Sequence, residues 1–193
     1  MPSIHDEQAS FPVPLGRRSP RGRTRWYLAH APKGRESSTA AKLAQLVSKE
    51  YLSDAFIISR ERWMKRSGIW TLETEPMYRE YLFVESCDAI SLNDAISKLS
   101  FNIELVGASS SSITPIDDDI RKWLTHAMDE SHTIRASIAS IANGTLHVCS
   151  GPLVGQESRI IKIDRHKRSC SVLISDHTGG FAERFALNVP AKS

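Results

Sequence analysis

After residue 143 the chain reads TLHVCS, GPLVGQE, SRIIKI, SCSVLIS, DHTGG, FAERF and LNV, short apolar stretches set between Gly, Pro and polar clusters. No helical stripe of useful length survives such punctuation. The pattern predicts short strands and turns that close into a small β-barrel of about fifty residues, 143–193. Inside it, residues 162–168 read KIDRHKR. Lys162, Arg165, Lys167 and Arg168 place fixed positive charges on one turn, His166 can add another, and Asp164 alone opposes them. Such a tip is either a solvated loop or a cationic edge presented to phosphates.

Residues 25–128 carry more varied patterns. RWYLAHA (25–31), followed by APKG, predicts a strand running into a turn. Ser37 or Ser38 can cap a helix whose apolar positions Leu43, Leu46, Val47 and Tyr51 form one stripe. AFIIS (55–59) reads as a buried strand, RERWMKRSGIWTLETEP (60–76) as a charged hairpin turning near Ser67–Gly68, and MYREYLFVE (77–85) as an aromatic strand. Ser91 and Asp94 resemble a capping box opening a helix that carries Leu92, Ile96 and Leu99. FNIELVG (101–107) returns as a strand. ITPIDDDIRKWLTHAM (113–128) is a final helix, with Asp117 to Asp119 complementing its dipole and Ile116, Ile120, Trp123 and Leu124 on its buried face.

The expected architecture is therefore α+β. An N-terminal antiparallel sheet with helices packed on it fills 25–128, a linker without sharp pattern spans 129–142, and the C-terminal barrel follows. Residues 1–24 hold four prolines and few apolar residues, and read as a disordered basic arm.

The net charge of +3 divides unevenly along the chain. Residues 17–25 carry five arginines and no acid; residues 26–128 hold twelve basic and fourteen acidic residues. From 129 onward there are eight basic and six acidic residues, and five of those eight lie between Arg159 and Arg168. The positive charge is local, as a defined polyanion contact requires. Cys87, Cys149 and Cys170 have no metal-ligand spacing, which argues for a reducing, cytoplasmic compartment and against a disulfide framework. No metal or other cofactor is expected. No apolar run approaches the roughly 20 residues of a membrane span, and MPSIHDEQAS lacks the regions of a signal peptide. No nucleophile elbow, phosphate-cradling Gly-rich loop or metal cluster appears, so an enzyme is not expected.

Two stretches carry a resemblance. HVCSGPLVGQESRIIKIDRHKR (147–168) resembles the KOW module, with Ser158 where that module usually has Gly. RWYLAHAPKGRE resembles the opening strand and turn of the NusG N-terminal domain. EPMYREYLFVE resembles that family's strand of the form E-P-L-F-P-G/N-Y-L-F-V-E, and ITPIDDDIRKWL its last helix. Order and spacing fit over residues 25–190. Tyr78-Arg79-Glu80 departs from the Phe-Pro-Gly of the family, whereas Tyr81, Leu82, Phe83 and Val84 match. The basic KIDRHKR differs from housekeeping members and is similar to the specialised LoaP branch of antiterminators.

The resemblance implies a non-enzymatic, monomeric antitermination or elongation factor. It would bind the clamp coiled coil of bacterial RNA polymerase through its first domain and a nascent RNA hairpin through its KOW domain. In a strand, Tyr81 and Phe83 point to one face and Leu82 and Val84 to the other, so one pair can fill the core while the other meets a partner. Tyr81 and Phe83 are the candidate polymerase contacts, with Tyr78 and Tyr27 behind them. The candidate RNA contacts are Lys162, Arg165, His166, Lys167 and Arg168. Asp164 either fixes the turn by accepting backbone N–H groups or accepts from a cytosine amino group. Lys33 and Arg35 face either non-template DNA or solvent. Two alternatives stand beside this reading: a general NusG-type factor whose KOW domain binds Rho or a ribosomal protein, and a ribosome-associated KOW protein.

Overall fold

The computed structural model describes residues 22–109, 112–176 and 180–190. Most of the expected arm lies outside them; Arg23, at its end, pairs with Asp118 at 2.9 Å. Among the described residues no helix is long and apolar enough to cross a membrane.

Among the described residues, three sheets and three α-helices form a mixed α+β structure. The first sheet has the order β2 (Asp54–Phe56), β5 (Tyr81–Ser86), β1 (Arg25–His30) and β6 (Glu104–Leu105). Its register sets Tyr27 opposite Val84 and Leu28 opposite Phe83. Alternation then sends Tyr27, Ala29, Leu82 and Val84 to one face, where they meet Leu43 of α1 (Glu36–Leu46) and Leu92 and Ile96 of α2 (Ala89–Ser97). The other face carries Trp26 and Phe83, packed with Phe56 and with Trp123 and Leu124 of α3 (Asp118–Ala127). A hairpin, β3 (Ser59–Arg66) and β4 (Ile69–Pro76), turns at Ser67–Gly68 as its sequence predicts. Both turn residues have positive φ, 48° and 85°, which matches the twist of the two strands. β7 (Thr133–Ile134) runs parallel to β3.

The remaining strands form one sheet in the order β10 (Ile160–Asp164), β11 (Ser169–Ser175), β12 (Phe181–Asn188), β8 (Ser137–Ala142) and β9 (Thr145–Ser150). FAERF and LNV, expected as separate pieces, are the single strand β12. The β12–β8 pairing is parallel and the others are antiparallel. Val172, Ile174, Phe185 and Leu187 from this sheet join the cluster that holds Trp26, Phe83 and Trp123, so one apolar cluster runs through both halves of the chain.

Several boundaries differ from the sequence expectations, each for a local reason. The segment expected as a linker, 129–142, is folded into β7 and β8. Its alternation is inverted: Ser137 and Ala139 are buried while Ile138 is 47% exposed. Ser137 must be small because Gly151, at φ +94°, sits against it; a Cβ on Gly151 would lie 2.6 Å from the Ser137 Oγ. That Oγ accepts the Leu153 N–H at 3.2 Å. α2 starts earlier than the Ser91/Asp94 pattern suggests. Asp88 is its N-cap, accepting the Ser91 N–H at 3.1 Å and the Ser91 hydroxyl at 2.7 Å. Neither Ser37 nor Ser38 caps α1; its N-cap is Arg35, which makes no side-chain cap bond. The helix stops at Leu46, which is left exposed.

The strand expected over 77–85 begins only at Tyr81, because Glu80 adopts φ +68°. This is where the resembled strand motif carries Gly or Asn, the residues that tolerate left-handed backbone. Buried Glu36 holds the corner, accepting the Glu80 N–H at 2.8 Å, while the Glu80 carbonyl accepts from Ala31 N–H at 2.8 Å. Burial alone would raise the Glu36 pKa. The hydrogen bonds from the backbone of Glu80, Glu36 and Gly34 outweigh it and hold the carboxyl below its usual range.

Two outcomes follow for thermal and acid unfolding. Replacing Glu80 with Gly relieves left-handed strain of about 1–2 kcal/mol against a glycine entropy cost of about 0.5–1 kcal/mol, so the melting temperature should rise slightly. Because the folded pKa of Glu36 is depressed, its contribution is full above the ordinary carboxylate range and disappears as pH falls through the depressed value. Acid titration of stability should show this loss in the native chain, and Glu36→Gln should remove that component.

Candidate functional site

The cationic turn is built by β10 and β11. Asp164 closes it: its Oδ1 accepts the Lys167 N–H at 3.0 Å, the turn-fixing role expected of it. Its other oxygen lies 4.0 Å from Lys167 Nζ, a marginal ion pair. Lys162, Arg165, His166 and Lys167 are exposed. No carboxylate among the described residues pairs with Lys162, Arg165 or His166, so their charge faces outward.

Arg168 behaves differently from the other four. It is half-buried, at φ +47°, and its guanidinium lies over two indoles of the first half, 4.9 Å from the Trp63 centroid and 5.0 Å from that of Trp70. The backbone there is fixed from both sides, since Arg168 N–H donates to the Arg165 carbonyl at 3.3 Å and the Leu187 N–H donates to the Arg168 carbonyl at 3.0 Å. Hairpin register puts Trp63 opposite Leu72 and Trp70 opposite Lys65, so the two indoles are diagonal neighbours on one face. Sequence reasoning missed Trp63 and Trp70. A signal for them is present, since a two-residue turn at Ser67–Gly68 fixes this register.

The aromatic strand contributes a second surface. Tyr81 is 37% exposed, with its ring edge-on to His30 at 5.6 Å. Phe83 is 2% exposed and stacks on Phe56 at 5.7 Å, so it is a core residue and only the floor of the surface above it. Tyr78 tilts against Phe83 at 5.8 Å and is half-buried; desolvation, then the nearby Glu183 carboxylate, pushes its phenol pKa up. Together Leu28, Tyr78, Tyr81, Phe83, Ile120 and Phe181 bound an almost wholly apolar groove of about 470 Å³. Tyr27 is not part of it. Its side chain is buried on the helix-covered face of the sheet, where desolvation raises its pKa.

Lys33 and Arg35 are exposed in the turn that leads into α1, with the Arg35 N–H bonded to the Pro32 carbonyl at 2.9 Å. They are remote in sequence from the cationic turn, and no described carboxylate pairs with either. Among the described residues no group of three or more His, Cys, Asp or Glu could hold a metal ion.

The profile of the family described as "Transcription termination factor nusG" matches residues 24–124, more than half of the 193-residue chain. No curated protein matches the chain. Among solved structures the chain is similar to NusG of Thermotoga maritima, described for its domain interaction. The two are 12% identical with a TM-score of 0.46, over 84% of this chain and 93% of that one. Members of the matched family are non-enzymatic transcription factors that bind RNA polymerase. On the family match, which runs from β1 into α3, this chain belongs to the NusG family.

Proposed function

We propose that this chain is a specialised processive antitermination and elongation factor of the LoaP kind. It divides into a NusG-like domain, 25–128, and a KOW β-barrel that begins with β8 at Ser137 rather than at the expected residue 143. The first domain docks on the clamp coiled coil of bacterial RNA polymerase. The groove around Tyr81 supports this, because an apolar trough with an amphipathic aromatic rim suits the side chains of a helical partner. The barrel holds a hairpin of nascent RNA through Lys162, Arg165, His166 and Lys167. Lys33 and Arg35 face the non-template DNA strand. The observation that carries the RNA reading is the outward set of cations on a turn whose shape Asp164 fixes. A turn held by its own aspartate presents its charges at little further entropic cost, which favours contact with a polyanion.

A second reading has one observation in its favour. Ile161 is 60% exposed and Ile163 37% exposed on the edge strand β10, on either side of Lys162. Exposed apolar side chains on a free strand edge are what a protein partner would cover, as in a general NusG-type factor that binds Rho or a ribosomal protein.

Two measurements separate these readings and test the polymerase contact. Tyr81→Ala should weaken binding to the clamp coiled coil by about 1–3 kcal/mol while leaving the melting curve in place. Phe83→Ala should instead lower stability by about 3–5 kcal/mol, since it removes a core ring. A failed pull-down with Tyr81→Ala and an unchanged melting curve is the supporting result. For the RNA, removing one cation from a phosphate should flatten the plot of log K against log salt by roughly 0.7–0.9. Neutralising Arg165 and Lys167 together should reduce the slope by about one and a half, with polymerase binding unaffected. If that variant binds RNA normally and still suppresses termination, the protein-binding reading replaces this one.

A further inference from the structure

Between the β3–β4 hairpin and the β10–β11 turn lies a crevice of about 380 Å³ whose walls come from both halves of the chain. Trp63, Lys65 and Trp70 form one side; Lys167, Arg168 and Arg184 form the other. Two carboxylates also line it, but both are already engaged. Glu61 accepts from Arg135 at 3.1 Å and from the Ala136 N–H at 2.7 Å, and Glu183 pairs with Arg60 at 3.3 Å. Lys65 and Arg184 have no carboxylate partner among the described residues. The net field inside the crevice is therefore positive.

Two further observations point to a ligand. The buried Trp63 Nε1 has no hydrogen-bond partner among the described residues. Neither has the hydroxyl of Ser169, which is only 7% exposed and lines the crevice. Buried polar groups are normally satisfied. These two belong to residues that wall a cationic crevice with indole faces able to take a flat guest, unlike the equally unpartnered Trp123 Nε1 inside the core. Their chemistry is selective. Flat apolar faces, cations and a short set of donors match a nucleotide, whose base stacks, whose phosphate is anionic and whose edge carries acceptors. An acidic peptide would use the cations and leave the indole faces idle.

We propose that this crevice binds one unpaired nucleotide of a single-stranded nucleic acid. The base lies on the indoles of Trp63 and Trp70 in the place now held by the Arg168 guanidinium. Lys65, Lys167 and Arg184 meet the flanking phosphates, and Arg168 swings out to join them. The inference rests on the reading of the turn as a nucleic-acid contact and adds to it the β3–β4 hairpin as a second wall. Recognition is then composite, requiring both halves of the chain.

Intrinsic tryptophan fluorescence of the full chain reads the event directly. Of its four tryptophans, Trp26 and Trp123 are each only 5% exposed, so quenching by a stacked base reports on Trp63 and Trp70. A short oligouridylate and its oligothymidylate counterpart, titrated separately, should each quench, and the one bound more tightly at equal salt identifies the source as RNA or DNA. Trp70→Leu should weaken binding roughly 5- to 100-fold, the effect of removing one base stack. Arg184→Gln, an exposed change that leaves the core alone, should flatten the salt slope by about 0.7 and keeps the test open if the Trp70 variant unfolds. Full affinity in both variants without quenching, while neutralising Lys162 and Arg165 abolishes binding, overturns the crevice and leaves the turn standing. Binding by neither oligonucleotide nor a hairpin RNA overturns both readings. Equal competition by oligoglutamate overturns the nucleotide in favour of an acidic peptide.

Discussion

The contact between Trp123 and Phe185, ring centroids 5.0 Å apart, joins α3 to β12 and with them the two halves of the chain. Around it Trp26, Phe56 and Phe83 pack edge-on and stacked from the first sheet, while Val172, Ile174 and Leu187 close the cluster from the second. Each aromatic pair adds about 0.5–1.5 kcal/mol beyond its buried area, so several in one cluster hold its parts in fixed orientation. Trp123 contributes shape and area alone, since its Nε1 finds no partner among the described residues. An orphaned indole N–H costs about 1–3 kcal/mol, which the packing of so large a ring must exceed. Around this cluster, Arg60 reaches Glu75, Glu183 and the Arg184 carbonyl, adding a polar clamp between hairpin and β12.

That clamp decides what the surfaces of the molecule can be. With β12 fixed against α3, Phe181 at its start rims the apolar groove of the aromatic strand, and Arg184 in its middle faces the cationic crevice. One strand thus supplies a wall to each. The charges are sorted the same way. Glu61 is tied to Arg135 and the Ala136 N–H, and Asp129 is tied to Ser131, Thr133 and Arg135. The acids near the junction are consumed in holding the chain between halves, and the cations of the turn are left without them.

Much of this was legible in the sequence, for physical reasons that can be named. The hairpin was legible because a charged, aromatic run bends at Ser67–Gly68, where only a two-residue turn fits. α3 was legible because Ile120, Trp123 and Leu124 repeat at helical spacing behind a run of aspartates. It starts at Asp118 with Asp117 as its N-cap, later than the expected 113, and Ile116 lies ahead of it with its N–H on the Trp26 carbonyl. β8 was not, because it buries Ser137 and Ala139 and exposes Ile138, reversing the pattern by which strands are recognised. The division of labour between Tyr81 and Phe83 was hidden as well. Alternation puts both on one face, but what covers that face at Phe83 comes from Phe56, Tyr78 and residues far along the chain. The crevice escaped for a related reason, since its walls are about a hundred residues apart in sequence and no local pattern links them.

The Arg168 stack has the properties of a contact made to be exchanged. A guanidinium over an indole at a partly exposed site is worth about 0.5–1 kcal/mol, whereas a base on the same ring is worth about 1–3 kcal/mol. The exchange would also leave the backbone undisturbed, because the Arg168 carbonyl is held by Leu187 and its N–H by Arg165. A residue at φ +47° with both backbone groups bonded is fixed in place, and only its side chain is free to leave. Arg168 therefore covers the indole faces, with Lys65 also over Trp70 at 5.8 Å, and ties the hairpin to the turn. Once displaced, the same guanidinium becomes one more cation beside the phosphates that displaced it.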